Sequence, residues 1–288
     1  MASRGYRDEP DTWPSPFEVT ALPVLLRLLL ITLVFCALPA GAEQRVRVGA
    51  YHFPPYIVKP ESAAPEGLVP ELLAALNGAQ SDYRFDLVPT SVTRPYRDLI
   101  QARYDLILFE SPDWGWQDIP LDKLDLQIAD AEVYVARNQH GRDQRFFDRL
   151  GDKRMALYNG YHYGFAGYNA DQDYLTRQFN AVLTYSHDSN LLMLLHDRVD
   201  ISVVTRSYLR IFQREHPQEG RQLLVSERTD QVYHHHALLR PQGPIDGARL
   251  DGLLGQLQRS GKLGELLQRY QVTAAAEAGS ERADPMPR

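Results

Sequence analysis

The sequence predicts an α/β protein built from two β-α-β-α-β units, each a mostly parallel sheet flanked by helices, with a strand-like run after each. Three observations predict it. Apolar segments follow a β-α-β-α-β order between residues 45 and 109. The same order returns between residues 154 and 204. A free-standing strand-like run follows each unit, Asp130–Arg137 after the first and Gln231–Leu239 after the second. Two such units imply two parallel sheets with helices packed on their faces.

Arg45–Ala50 alternates charged and apolar residues, the period of a strand, and enters the aromatic, proline-rich loop Tyr51–Tyr56. Gly67 precedes Leu68–Leu76, whose apolar positions share one helical face with Pro70 in the first turn. Phe85–Pro89 reads as a strand, 96–102 as a short helix, and Tyr104–Phe109 as the third strand. In the second unit the strands are Arg154–Tyr158, Val182–Tyr185 and Val199–Val204. The helices are Asp171–Phe179, Ser189–Asp197 (capped by Asp188 or Ser189) and Thr205–Glu215. Two closing helices, Ala248–Ser260 and Leu263–Tyr270, are broken at Gly261. The stretch from Ala274 to Arg288 lacks periodicity and is expected to be disordered.

The N-terminal region points to export. Arg27 precedes an apolar run, Leu28–Leu38, followed by Pro39-Ala40-Gly41-Ala42, the layout of a cleavable signal. The run is too short for a membrane span, which needs about 20 residues. Cleavage is expected after Ala42, releasing the protein into the periplasm. The single cysteine, Cys36, lies within that run, so the mature chain would hold no thiol or disulfide. A formal net charge of −6 with interspersed signs gives no footprint for nucleic acid or an anionic membrane. The sequence holds no HExxH pair, phosphate loop or Ser-His-Asp spacing. No cofactor is expected.

In order and spacing these residues resemble the family 3 periplasmic solute-binding proteins, the polar amino acid receptors of ABC importers. The likeness covers nearly all of residues 45 to 271. It rests on Val46-x-Val48-Gly49 with Pro54-Pro55-Tyr56 and Gly67, on the "LLHDRVD" of 194–200, and on Leu257–Leu263 followed by Leu266–Tyr270. The resemblance implies the two-lobed type II periplasmic-binding-protein fold, with two crossover strands joining the lobes. Lobe 1 would be 43–133 plus 236–273 and lobe 2 would be 134–235. A monomer would close on a small-molecule ligand and deliver it to an ABC permease in the inner membrane. Proteins of the same fold include cyclohexadienyl-type dehydratases, for which Glu110 or Asp113 would be the candidate acid, and sensory modules that present a ligand to a membrane receptor.

Two departures from the family pattern bear on the ligand. The resemblance implies an arginine after the third strand to grip an α-carboxylate, yet Phe109–Trp116 contains none. It also implies an aspartate for the α-ammonium where Thr205 or Arg206 stands. What stands there instead is acidic and aromatic. Glu110, Trp114 and Trp116 beside Tyr51, Phe53 and Tyr56 form a candidate box for a cation or flat ring, with core packing of the two tryptophans as the alternative. Tyr158 and Tyr161, with Asn159 and Tyr163, follow the first strand of lobe 2. Ser186, His187 and Asp188 stand at a helix start, fit for an anion or for simple capping. Arg94 and Arg97 either replace the missing cation or end a helix in solvent. The candidate ligand set is therefore Tyr51, Phe53, Tyr56, Glu110, Trp114, Trp116, Tyr158, Tyr161, His187 and Thr205. In the run His234-His235-His236, His234 and His236 share one face of a strand and His235 the other, too few to converge on a metal without help from His187 or Glu132. No metal is expected.

Overall fold

The computed structural model describes residues 43–274, which fall within one compact unit. The expected signal segment, and the expected tail beyond Ala274, lie outside the described residues. The first unit comprises β1 (Gln44–Ala50), α1 (Leu68–Ala79), β2 (Tyr83–Pro89), α2 (Pro95–Ile100) and β3 (Leu106–Glu110). The long strand β4 (Asp122–Arg137) leads to the second unit. That unit comprises β5 (Met155–Tyr158), α3 (Gln172–Phe179), β6 (Ala181–Thr184), α4 (His187–Leu195), β7 (Ile201–Thr205), α5 (Arg206–Glu215) and the single turn α6 (Pro217–Gly220). A second long strand, β8 (Leu223–Leu239), returns to α7 (Gly247–Arg259), α8 (Lys262–Arg269) and the short β9 (Thr273–Ala274). Among the described residues, no helix is long and apolar enough to cross a membrane.

The two units are built alike. In the first, β1 lies between β2 and β3 and is parallel to both. In the second, β5 lies between β6 and β7 in the same parallel arrangement. Each trio ends against a long antiparallel strand, β3 on β8 and β7 on β4. The long strands pair with each other over most of their length. Paired strands therefore form one continuous path, β2-β1-β3-β8-β4-β7-β5-β6, whose two parallel trios sit on opposite sides of the crossover pair. The crossover ladder is not smooth. Its register slips between Asp125 and Ile128, and twice between Glu132 and Val135, near the middle of both strands.

Local chemistry explains the element ends. Gly67, at φ 113°, precedes α1 where a Cβ would lie 2.5 Å from the Tyr56 carbonyl oxygen, so no side chain fits. α4 begins two residues earlier than expected, because Ser186 rather than Asp188 or Ser189 caps it, accepting from the Ser189 N–H at 3.2 Å. Gly261, at φ 79°, breaks α7 from α8 as expected. β4 and β8 both start about eight residues before the sequence suggests. Asp122–Gln127 is partly exposed, and Ser226–Asp230 is polar enough to read as loop.

Candidate functional site

The site grows from the carboxyl ends of the parallel strands. Tyr51 and Phe53 follow β1, Glu110 ends β3, Gly160 and Tyr161 follow β5, and Thr205 ends β7. In open parallel sheets this is where loops and helix starts leave room for a ligand. Between the two trios lies a small cavity of about 20 Å³, space for roughly one water molecule. Tyr51, Phe53, Val92, Glu110 and Trp114 line it from the first unit, Gly160, Tyr161 and His162 from the second, and Glu132 and Gln231 from the crossovers. No lysine or arginine lines it.

Ring packing closes the space. The Phe53 ring meets Trp114 edge-on at 5.8 Å and Tyr161 edge-on at 5.5 Å, and stacks near Tyr51 at 6.2 Å. Such edge-to-face pairs add about 0.5–1.5 kcal/mol beyond area burial. Tyr161 in turn stacks on Tyr158 at 4.4 Å. Aromatic contacts thus join the two units directly across the cavity. A glycine permits the approach on one side. Gly160, at φ 84°, brings its backbone against Val92, whose Cγ1 would sit 2.9 Å from a Cβ there.

Glu110 is aimed inward by a bulge. Phe109 takes a left-handed φ of 61°, and the β3–β8 register slips between Ile107 and Glu110. Bulges commonly re-aim a side chain beside a site. Glu110 is buried and accepts from the Trp116 Nε1–H at 3.0 Å. Burial pushes its carboxyl up to about 7, against the opposing pull of hydrogen bonds from Tyr51 and Trp116.

The crossover strands contribute the second acidic cluster, and register explains it. Thr205 of β7 and Gln231 of β8 both lie opposite Glu132, and Tyr233 lies opposite Asp130. Glu132 Oε1 accepts from Thr205 Oγ1 at 2.9 Å and from the Tyr233 hydroxyl at 3.2 Å. Asp130 accepts from the Tyr56 hydroxyl at 2.7 Å, from Ser207 Oγ at 2.5 Å and from the Ala131 N–H at 2.8 Å. Burial raises both carboxyls, Glu132 well above the ordinary glutamate range. The Tyr56 hydroxyl also pairs with His235 Nε2 at 2.8 Å, and burial holds His235 down at about 3, hence neutral.

All ten expected ligand residues are buried, and they divide into three groups. Tyr51, Phe53, Glu110, Trp114 and Tyr161 line the cavity. Tyr158, His187 and Thr205 stand one layer behind it. The His187 ring is 5.6 Å from the Tyr161 ring, and His187 Nε2 is 3.4 Å from Thr205 Oγ1. Tyr56 and Trp116 are fully enclosed, Tyr56 in the Asp130 network and Trp116 edge-on to Tyr96 at 5.9 Å, which is the core alternative for Trp116. Arg94 and Arg97 are exposed at the start of α2 and do not line the cavity. Of the histidine run, His235 faces inward and His234 outward. No three candidate ligands converge on a metal position among the described residues. Sequence reasoning missed Gln231, Tyr233 and His162 altogether. Gln231 accepts from the Trp114 Nε1–H at 3.3 Å and donates to the His162 carbonyl.

No protein-family model matches the chain, and no curated protein matches it in sequence. Solved structures do match in fold. The substrate-binding protein of an amino acid ABC transporter superimposes with a TM-score of 0.56 at 14% identity, over 78% of this chain and 98% of that one. An ancestral amino acid-binding protein, a precursor of cyclohexadienyl dehydratase, gives 0.58 at 14% identity, over 78% and 94%. A histidine kinase sensor domain similar to periplasmic binding proteins gives 0.59 at 17% identity, over 80% and 96%. The fold is therefore the two-lobed type II periplasmic-binding-protein fold. At these identities the likeness is one of fold.

Proposed function

We propose that this chain is an exported, monomeric solute-binding protein that shuts two lobes over a small polar molecule and hands it to an ABC permease in the inner membrane. One observation carries the reading. Aromatic and acidic side chains from both parallel trios, and from the strands between them, converge on one buried space at the strands' carboxyl ends. The lobes are assigned as 43–133 plus 236–273 and 134–235. The hinge is assigned to the slips in the crossover ladder between Glu132 and Val135, since hinge closure concentrates backbone change in a few residues. Tyr51, Phe53, Glu110, Trp114 and Tyr161 would touch ligand, with Tyr158, His187 and Thr205 supporting them. A thermal-shift screen of amino acids, small amines and aromatic acids tests this, because a ligand that binds only the folded state raises the melting point. Stabilisation by one of these classes is expected. A flat response to all of them would count against the reading.

A second reading has its own observation. Glu110 is a cavity-lining acid held near neutrality by burial, the state a general acid needs at pH 7. A dehydratase acting on prephenate-like substrates would use it so. Turnover of prephenate that disappears in Glu110→Gln would favour the enzyme; no turnover alongside ligand-induced stabilisation favours capture. The sensory role, which the sensor-domain neighbour illustrates for its own chain, would use the same cleft with a different membrane partner.

A further inference from the structure

Two buried polar atoms at the cavity lack a hydrogen-bond partner, Glu132 Oε2 and the Tyr161 hydroxyl. Both residues line the same space, at 2% and 7% exposure. A buried polar group left unpaired is destabilising, so this pair marks where a bound group would be held. Charge narrows what that group is. The lining holds two carboxyls, Glu110 and Glu132, and no lysine or arginine. A ligand carboxylate brought here would face two acids with no counter-charge, so an α-amino acid is disfavoured by its own carboxyl. A cation gains instead. It restores the charged form of a buried acid, and it lies among the rings of Tyr51, Phe53 and Trp114, whose faces attract a cation within roughly 6 Å.

The unpaired atoms also separate one kind of cation from another. Glu132 Oε2 needs a donor, which a quaternary ammonium does not have. A primary ammonium offers three N–H groups on a head about the size of a water molecule, matching the space of about 20 Å³. We infer that the cleft captures a primary amine lacking a neighbouring carboxylate, with Glu132 and Tyr161 accepting its N–H groups and the rings of Tyr51, Phe53 and Trp114 as its walls. The inference rests on the capture reading above and names its ligand class. A chain longer than the head group enters only when the lobes part.

Glu132 is faced by Asp130 on its own strand, by Asp230 and Tyr233 of β8, and by the phenols of Tyr56, Tyr161 and Tyr163. Through Thr205 it is also linked to His187, whose ring burial holds at about 3 and therefore neutral. Arg206 acts electrostatically on Asp130. Among these neighbours the acid that releases its proton to solvent when an ammonium arrives is Glu132, whose second oxygen is unpaired.

The test is calorimetry and thermal shift on the mature protein with methylamine, putrescine and tyramine, against tetramethylammonium, L-serine and L-glutamate. The three primary amines are expected to stabilise the protein and tetramethylammonium to fail. Binding of an amine should release about one proton, read as heat that scales with buffer ionisation. Glu132→Gln should weaken the amines about tenfold or more; if that variant does not fold, proton release that persists in Glu110→Gln decides, since Glu110 lines the same cavity and titrates at about 7. Binding of L-serine or L-glutamate without the amines overturns the ligand class and leaves capture standing. Amine binding that is indifferent to Glu132→Gln, or that releases no proton, overturns the role of Glu132. Silence from every probe in this panel and the wider screen overturns capture itself.

Discussion

Glu110→Gln isolates the energetic consequence of burying an acid in this cleft. The wild-type carboxyl is 2% exposed and rises from 4.5 to about 7 on folding. Below pH 4.5 the group is protonated whether folded or unfolded, and burial carries no ionisation penalty. Between pH 4.5 and 7 the unfolded chain loses the proton while the folded one retains it, so stability falls as pH rises. At roughly 1.4 kcal/mol per pH unit, the loss reaches about 3 kcal/mol by pH 7 and then levels off. Glutamine keeps an oxygen to accept from Trp116 Nε1, which now lies 3.0 Å from Glu110 Oε2, and removes the titration. Urea melts of both proteins from pH 4.5 to 8 should therefore diverge, the wild type losing about 3 kcal/mol more than the variant across that span. The other buried acids titrate in both proteins and cancel in the difference. Parallel stability curves would show that Glu110 is solvated or paired in solution, and the account of this cavity as a desolvated site would be wrong.

Three further substitutions probe the cleft. Gly160→Val places a side chain against Val92 at a backbone φ of 84°; it should wedge the lobes apart and weaken amine binding about tenfold, the strain itself costing roughly 1–2 kcal/mol, as read by calorimetry and melting. Trp114→Ala removes a ring packed on Phe53 and Tyr233, at 5.8 and 4.7 Å; unfolding free energy should fall by about 3–5 kcal/mol, and ligand affinity should fall at least as much. A loss of stability with affinity intact would assign Trp114 to the core alone. Tyr56→Phe deletes the hydroxyl shared by Asp130 and His235; a destabilisation of about 1–3 kcal/mol in urea melts is expected, and no change would mean water replaces the hydroxyl.

Much of the fold was legible because its short strands are apolar and fully buried. Leu106–Glu110, Met155–Tyr158 and Ile201–Thr205 are buried at every position, and runs of that kind read as interior strands. The outer halves of β4 and β8 were not legible. Asp122–Gln127 and Ser226–Asp230 are largely polar, and each is a strand because the apolar half of the other crossover supplies its ladder, Leu124 lying opposite Ala237 and Thr229 opposite Val133, a fact of tertiary pairing. The site divides in the same way. Residues just after strand ends, such as Tyr51, Phe53 and Tyr161, follow from position alone. The crossover acids carried a signal that went unused. Asp130, Glu132 and Tyr134 alternate along β4, as do Gln231, Tyr233 and His235 along β8, and all six are buried, the period-2 mark of one strand face. That these two faces meet is set by register, which composition does not reveal.

On the proposed reading, two lobes move about the crossover strands and close over this cavity. Spin labels at Ile100→Cys and Leu192→Cys, both on exposed helix positions on opposite sides of the crossovers, in the chain from residue 43, which has no cysteine of its own, measure it directly. A short, narrow distance distribution with putrescine bound, and a longer one in Gly160→Val, is the predicted result. One unchanged distance in every condition would contradict it.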